Sequence, residues 1–284
     1  MKSSILSAFG FLVTLASSTP IVKRTVAKHN DYSCHSEAHP NPVVLLHGLG
    51  ATYYEDINYL ELYLQQQGYC TFSTTYGEYA LFPFVGGLKP IATSSDEIAT
   101  FIKTVQTTTG AAKIDLVGHS EGAFQVLYVT KFGKGIKEIV QRVFAIAPPT
   151  HGTTFLSLYN VTDISPELTR PLVDQILKTV GCAACADLLP QGDAVKRLNE
   201  GPIAQEGVSY TILTSTNDQL VVPTETSFVR EEGVRNLYVQ DFCPLDPVGH
   251  IGEAYDLNVR ELVRNALRDD LARPEVCSVG FPGK

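Results

Sequence analysis

A chain of 284 residues, 44% apolar and 18% charged, can bury one large α/β core or two small ones. Its formal net charge is −8 and its sequence pI is near 5.4. With no run of basic residues, that balance argues against nucleic acid as a partner and suits a neutral substrate in water.

The first stretch reads as a targeting segment. Lys2 supplies a positive start, Ile5 to Ala16 an apolar run, and Ala16-Ser17-Ser18 the small residues of a cleavage site. The run is too short to span a bilayer, so residues 1–18 are expected to be a signal peptide rather than a membrane anchor or a buried N-terminal helix. Lys23-Arg24 resembles a dibasic processing site. Residues 19–24 then form a short propeptide, and 25–284 a single domain of a secreted, extracellular protein. All six cysteines, Cys34, Cys70, Cys182, Cys185, Cys243 and Cys277, lie in that domain. An even number in an exported chain implies disulfides. Six cysteines allow fifteen pairings, and the sequence leaves the connectivity open; joining nearest neighbours gives Cys34–Cys70, Cys182–Cys185 and Cys243–Cys277. The Cys182-Ala-Ala-Cys185 spacing also fits a redox or metal motif, but it has no second pair and no histidine nearby in sequence. Asn160-Val161-Thr162 is an N-glycosylation acceptor if the source is eukaryotic.

Pro42 to Leu46 is a short β-branched run that suits a buried parallel strand. His47-Gly48-Leu49-Gly50 follows, and His47 reads as a structural histidine. Tyr53 to Gln67 is expected to be a helix with Ile57, Leu60, Leu62, Tyr63 and Leu64 on its apolar side, and Tyr69 to Thr75 a strand. Gly77 to Pro90, rich in Gly, Pro and aromatics, is expected to be a loop near a site mouth. Ser94 and Glu97 have capping-box spacing, and Ile98, Phe101, Ile102 and Val105 repeat on one face up to Gly110. Lys113 to Val117 is strand-like and leads into Gly118-His119-Ser120-Glu121-Gly122.

That pentapeptide reads G-x-S-x-G, set between a strand and a helical segment, Ala123 to Phe132. This is the context of a nucleophile elbow, in which a sharp turn lifts Ser120 clear of a sheet. Gln141 to Ala147 is a further strand. Residues 155–208 break the alternation of strands and helices; Pro171 opens a striped helix that serves either as a cap over a cleft or as a plain packed helix. Strands resume at Tyr210–Leu213 and Asn236–Val239, and a last helix starts near Leu257. Alternation of this kind predicts an α/β fold with a mostly parallel sheet covered on both faces.

A serine hydroxyl needs a base, and the base an orienting acid. In the elbow layout the chain order is Ser, then Asp or Glu, then His. Only His151 and His250 follow Ser120. His151 comes too soon to leave room for an acid-bearing strand and reads as structural, so His250 is the expected base. Asp218, four residues past the Tyr210–Thr214 strand, sits where ligands bind in open sheets and is the preferred acid, with Asp241 next. Backbone amides of Leu49 and Glu121 are the expected oxyanion-hole donors.

With these residues placed, the chain resembles secreted class 2 lipases of the α/β-hydrolase superfamily, related to bacterial extracellular triacylglycerol lipases and fungal counterparts. The matching segments are PVVLLHGLG (42–50), DLVGHSEG (115–122), APPTHGTT (147–154), TNDQLVVP (216–223) and VQDFCP (239–244) with His250. The resemblance implies a Ser-His-Asp ester hydrolase, paired cysteines, no organic cofactor and lipid or small-ester substrates met at a lipid–water interface. Glu121-Gly122-Ala123 departs from the Gln-Gly-Gly of many relatives. Some relatives bind calcium, and no matching metal site is read here. A short-chain carboxylesterase, a cutinase-like polyesterase or an acyltransferase would use the same triad; a non-catalytic binding protein on the same fold is the reading from outside enzymes. Oligomeric state is left open.

Overall fold

A computed structural model describes residues 28–153, 181–270 and 272–282. The signal and propeptide segments, Asn160 and the helix expected from Pro171 fall outside the described residues. Six short strands form one fully parallel sheet: β1 Val43–Leu46, β2 Thr71–Ser73, β3 Ile114–His119, β4 Val140–Ile146, β5 Ser209–Thr214 and β6 Val234–Tyr238. Their order is β2-β1-β3-β4-β5-β6. The chain runs outward from β1 to β2, then returns to β3 and builds the rest on the other side. The carboxyl ends of β1 and β3 therefore flank the point where the order reverses, the place where open α/β sheets hold ligands.

Both faces of the sheet are covered, as unbroken apolar strands require. In β1, Val44 and Leu46 point to the face covered by α2 (Ile91–Thr109) and α3 (Glu121–Phe132). Val43 and Leu45 point to the other face, covered by α1 (Asn58–Gln66) and by a long helix near the chain end, Leu257–Leu267. All four side chains are fully buried, and each is worth about 1.5–3 kcal/mol in leaving water.

The segment from 181 onward adds α4 (Ala183–Asp187) and α5 (Asp193–Leu198) before β5. After β6 come two single turns, α6 (Val239–Phe242) and α7 (His250–Glu253), and then α8 (Leu257–Leu267). These four short elements escape periodicity because none is long enough to show two turns of a stripe.

Three elements differ from expectation. Only Asn58–Gln66 of the first helix is helical; residues 53–56 form turns. Leu62 is 45% exposed rather than in the core. The second helix begins three residues before the expected cap: Ser94 lies inside it, the Ile91 amide bonds the Asp187 carboxylate (2.8 Å), and Glu97 instead binds the Gly77 amide (2.8 Å) and Lys89 (2.7 Å). A carboxylate borrowed from α4 thus replaces the local capping box. The β2 strand keeps only three of its seven expected residues.

The disulfides join Cys34–Cys70, Cys182–Cys185 and Cys243–Cys277, the nearest-neighbour set. The first ties the irregular N-terminal stretch to the residue before β2. The last ties the chain's end beside the His250 loop.

Candidate active site

Ser120 sits between β3 and α3 with φ 55° and ψ −119°. This left-handed conformation is costly for a residue with a side chain, so the neighbours must enforce it. Gly118 and Gly122 make it possible: a Cβ on Gly118 would strike the Gly122 carbonyl, and one on Gly122 would strike the Leu46 and His47 carbonyls at the end of β1. Strand, turn and helix are packed as closely as glycine allows.

Two loops converge on the elbow. His250 opens α7, and its Nε2 lies 2.8 Å from Ser120 Oγ. Its Nδ1 lies 2.8 Å from Asp218 Oδ2. Asp218, on the loop after β5, is buried and accepts two further bonds through Oδ1, from the Leu220 amide (2.7 Å) and the Val221 amide (2.9 Å). Those amides fix the carboxylate so that its other oxygen meets the ring. The His250 loop is held in turn by Ser215, whose hydroxyl donates to the Val248 carbonyl (2.5 Å). The three side chains picked from chain order thus form one hydrogen-bonded line.

Leu49, on the loop after β1, and Ser120 line the same cavity. Among the described residues, neither the Leu49 nor the Glu121 amide donates to a protein acceptor, the condition an oxyanion hole requires. The cavity holds about 90 Å³, with apolar walls from Leu49, Pro149, Leu188, Leu220, Val221 and Ile251. Leu188 comes from the segment read as a cap insertion.

The other sequence candidates lie elsewhere or act structurally. Asp241 accepts from the Tyr238 amide (2.8 Å) as a helix cap. His151 Nε2 lies 3.0 Å from the Phe228 carbonyl. His47 is fully buried and stacked on Tyr76 with ring centroids 4.3 Å apart; burial pulls its pKa down to about 4.

Sequence reasoning missed a second buried pair. Asp56 Oδ1 and Oδ2 lie 2.9 and 3.0 Å from His119 Nδ1, and Oδ2 also accepts from the Gly48 amide (2.6 Å). His119 Nε2 lies 3.0 Å from the His250 carbonyl. Asp56 was hidden in a segment that reads as helix, and His119 stands at an unconstrained position of the elbow motif, so no local pattern marks either.

Two glutamates at the site have no partner. Glu121 and Glu253 are 1% and 0% exposed, and none of their carboxyl oxygens has a hydrogen-bond partner among the described residues. Gln125 Nε2, beside Glu121, is spent on the Ile91 carbonyl (3.2 Å). Burial pushes both carboxyls well above the usual range, and the Asp218 charge adds to the rise at Glu253. His119, His250 and Glu253 offer atoms within 4.8 Å of one another, but both ring nitrogens of each histidine are already engaged.

A parallel sheet with the strand–elbow–helix at its switch point and a carboxylate–imidazole–hydroxyl line across its carboxyl edge is the α/β-hydrolase fold. Solved structures agree on the fold. Aspergillus fumigatus lipase B is similar with a TM-score of 0.59 at 17% identity, over 83% of this chain and 54% of that one. MGS-MChE2, an α/β-hydrolase enzyme from a metagenome of Mar Chica lagoon sediments in Morocco, scores 0.54 at 18% identity, over 81% and 91% of the two chains. The 2-hydroxy-6-oxo-6-phenylhexa-2,4-dienoate hydrolase of Rhodococcus sp. strain RHA1 scores 0.52 at 14%, over 82% and 92%. The chain spans about half the length of the Aspergillus lipase. The sequence model of the lipase (class 2) family matches residues 40–252, and the chain belongs to that family. No helix among the described residues is long and apolar enough to cross a membrane.

Proposed function

We propose that this protein is an exported serine hydrolase that cleaves carboxylic esters of lipids. The observation that carries this reading is the line of two 2.8 Å contacts from Asp218 through His250 to Ser120, within a class 2 lipase. Neutral His250 takes the Ser120 proton as Oγ attacks the acyl carbonyl, and Asp218 steadies the imidazolium that forms. His250 then returns the proton to the departing alcohol. Water, deprotonated by the same ring, hydrolyses the acyl-enzyme and restores Ser120. The Leu49 and Glu121 amides hold the developing oxyanion, a service worth about 2.7–4 kcal/mol per donor in comparable sites. The apolar walls beside Ser120 suit an acyl chain.

Labelling with a fluorophosphonate, mapped by mass spectrometry, should mark Ser120, and p-nitrophenyl esters of graded chain length should be turned over, with a gain in emulsion. An unlabelled Ser120 with no ester turnover would sink the reading. Turnover confined to soluble short esters would replace the lipase by an esterase. Export is supported by the apolar stretch after Lys2 and by three disulfides. The N-terminus of protein recovered from the medium should follow residue 18 or 24.

A further inference from the structure

The serine-hydrolase reading leaves one feature of the site without a task. Asp56 and His119 both line the cavity, at 7% and 2% exposure, yet neither touches Ser120's reacting atoms in the proposed mechanism. Their polar contacts all end on the segments that carry the mechanism. Asp56 binds the amide of Gly48, next to Leu49, and the ring of His119, next to Ser120. His119 binds Asp56 and the main-chain carbonyl of His250. One carboxylate and one ring therefore connect the loop after β1, the elbow and the His250 loop, which are more than 60 residues apart in sequence at each step.

The acceptors fix the ring's protons. The His250 carbonyl can only accept, so Nε2 of His119 donates; Asp56 already accepts from an amide, which favours its charged form, so Nδ1 donates as well. Burial works against a charged ring, but the charge and hydrogen bond of Asp56 outweigh it and hold His119 above its ordinary pKa. Asp56 is held below its own by His119 and the Gly48 amide, against burial. A buried ion pair gives little net stability over an apolar pair of the same volume. What this one supplies is direction: each charge points at a main-chain group on a different loop.

We propose that Asp56 and His119 form a positioning pair that registers the loop after β1 against the His250 loop, so that the Leu49 amide and the His250 ring keep one arrangement around Ser120. The proposal rests on the hydrolase reading for its kinetic consequence but not for its structural one.

Asp56→Asn tests it with almost no change of shape. Asparagine keeps an oxygen for the Gly48 N–H but sets an NH2 donor where Oδ1 faces the His119 Nδ1–H, and it removes the charge that favours the doubly protonated ring. The turnover number on p-nitrophenyl butyrate should fall about 100-fold, the loss expected of an ångström-scale misplacement, with KM little changed. His119→Gln should cost a similar factor, and the double variant little more than either single one, because the pair acts as a unit. In both variants amide exchange should quicken at residues 47–50 and 248–251 while β3 and β4 stay protected. NMR of the unaltered chain should show two ring N–H protons on His119 persisting above pH 6.5, the ordinary value for the ring. Unchanged turnover, additive losses, unaltered exchange in the two loops or a singly protonated His119 would each overturn the pair. If the wild-type chain turns over no ester, the hydrolase reading fails alone, and exchange and ring protons still decide this one. Should Asp56→Asn not fold, His119→Gln carries the same measurements.

Discussion

Two histidine–aspartate pairs lie side by side in this molecule, their rings 5.0 Å apart centre to centre, and the proposed mechanism gives them opposite parts. In both, Nδ1 faces a buried carboxylate that also accepts backbone amides. The difference is on the other nitrogen. Nε2 of His250 faces a hydroxyl, which can surrender a proton; Nε2 of His119 faces a carbonyl, which can only accept one. In the proposed mechanism the first ring takes up a proton and returns it, whereas the second donates from both nitrogens. A carboxylate beside a histidine therefore does not by itself make a base; the group on the far side of the ring decides.

The sharpest way to break this contrast is at the hydroxyl. Ser120→Ala should abolish ester turnover, a loss of at least about 10⁴-fold, while the Tm stays near that of the unaltered chain; retained turnover would remove Ser120 from the chemistry. Next in size is Asp218→Asn. An amide cannot hold the ring in the tautomer that leaves Nε2 free to take a proton, and a loss of about 10³–10⁴-fold in turnover is expected. Set against the roughly 100-fold loss foreseen for Asp56→Asn, the gap measures how much more a ring that moves a proton needs its carboxylate than a ring that only holds loops. Equal losses in the two variants, measured on one ester at one pH, would erase the distinction drawn here.

The first pair was legible in the sequence and the second was not, for a physical reason. Ser120 is announced by glycines at 118 and 122, which the packing of β1 against the elbow makes obligatory. His250 and Asp218 follow from chain order and from the rule that ligands meet an open sheet at its carboxyl edge. The sheet itself was written in short β-branched runs. Asp56 carries no such mark. It lies in the turn before the helix that starts at Asn58, and its partners His119 and Gly48 come near only after folding. The displaced start of α2 has the same origin: the Ile91 amide is satisfied by Asp187, 96 positions away, so a local capping signal at Ser94 pointed to the wrong residue. Contacts made across the fold leave no local pattern to read.

The smallest effects should come from the two carboxyls that have no partner. Glu121→Gln keeps the backbone amide assigned to the proposed oxyanion hole, so turnover should be nearly preserved. Glu253 is the more exacting case, because its Oε2 stands 4.0 Å from His250 Nδ1, within reach of competing with Asp218 for the ring. Asp218 holds the hydrogen bond to the ring, while burial, and then the Asp218 charge, push Glu253 well above the usual carboxyl range, so that it keeps its proton at pH values where an ordinary carboxyl has lost it. An acid raised on folding helps most when the unfolded chain is protonated too. Its contribution is complete below about pH 4.5, the ordinary value, and drains away as pH climbs toward the folded value, since unfolding then releases a proton. Glu253→Gln cannot ionise and removes that slope. The variant should match the unaltered chain at pH 4 and gain at pH 8, by a shift in Tm of about 2–4 °C for each kcal/mol recovered. Its turnover should change by less than about tenfold, in keeping with a group outside the proton path. A collapse in turnover comparable to Asp218→Asn, with Tm unchanged at both pH values, would mean that Glu253 rather than Asp218 holds the ring of His250.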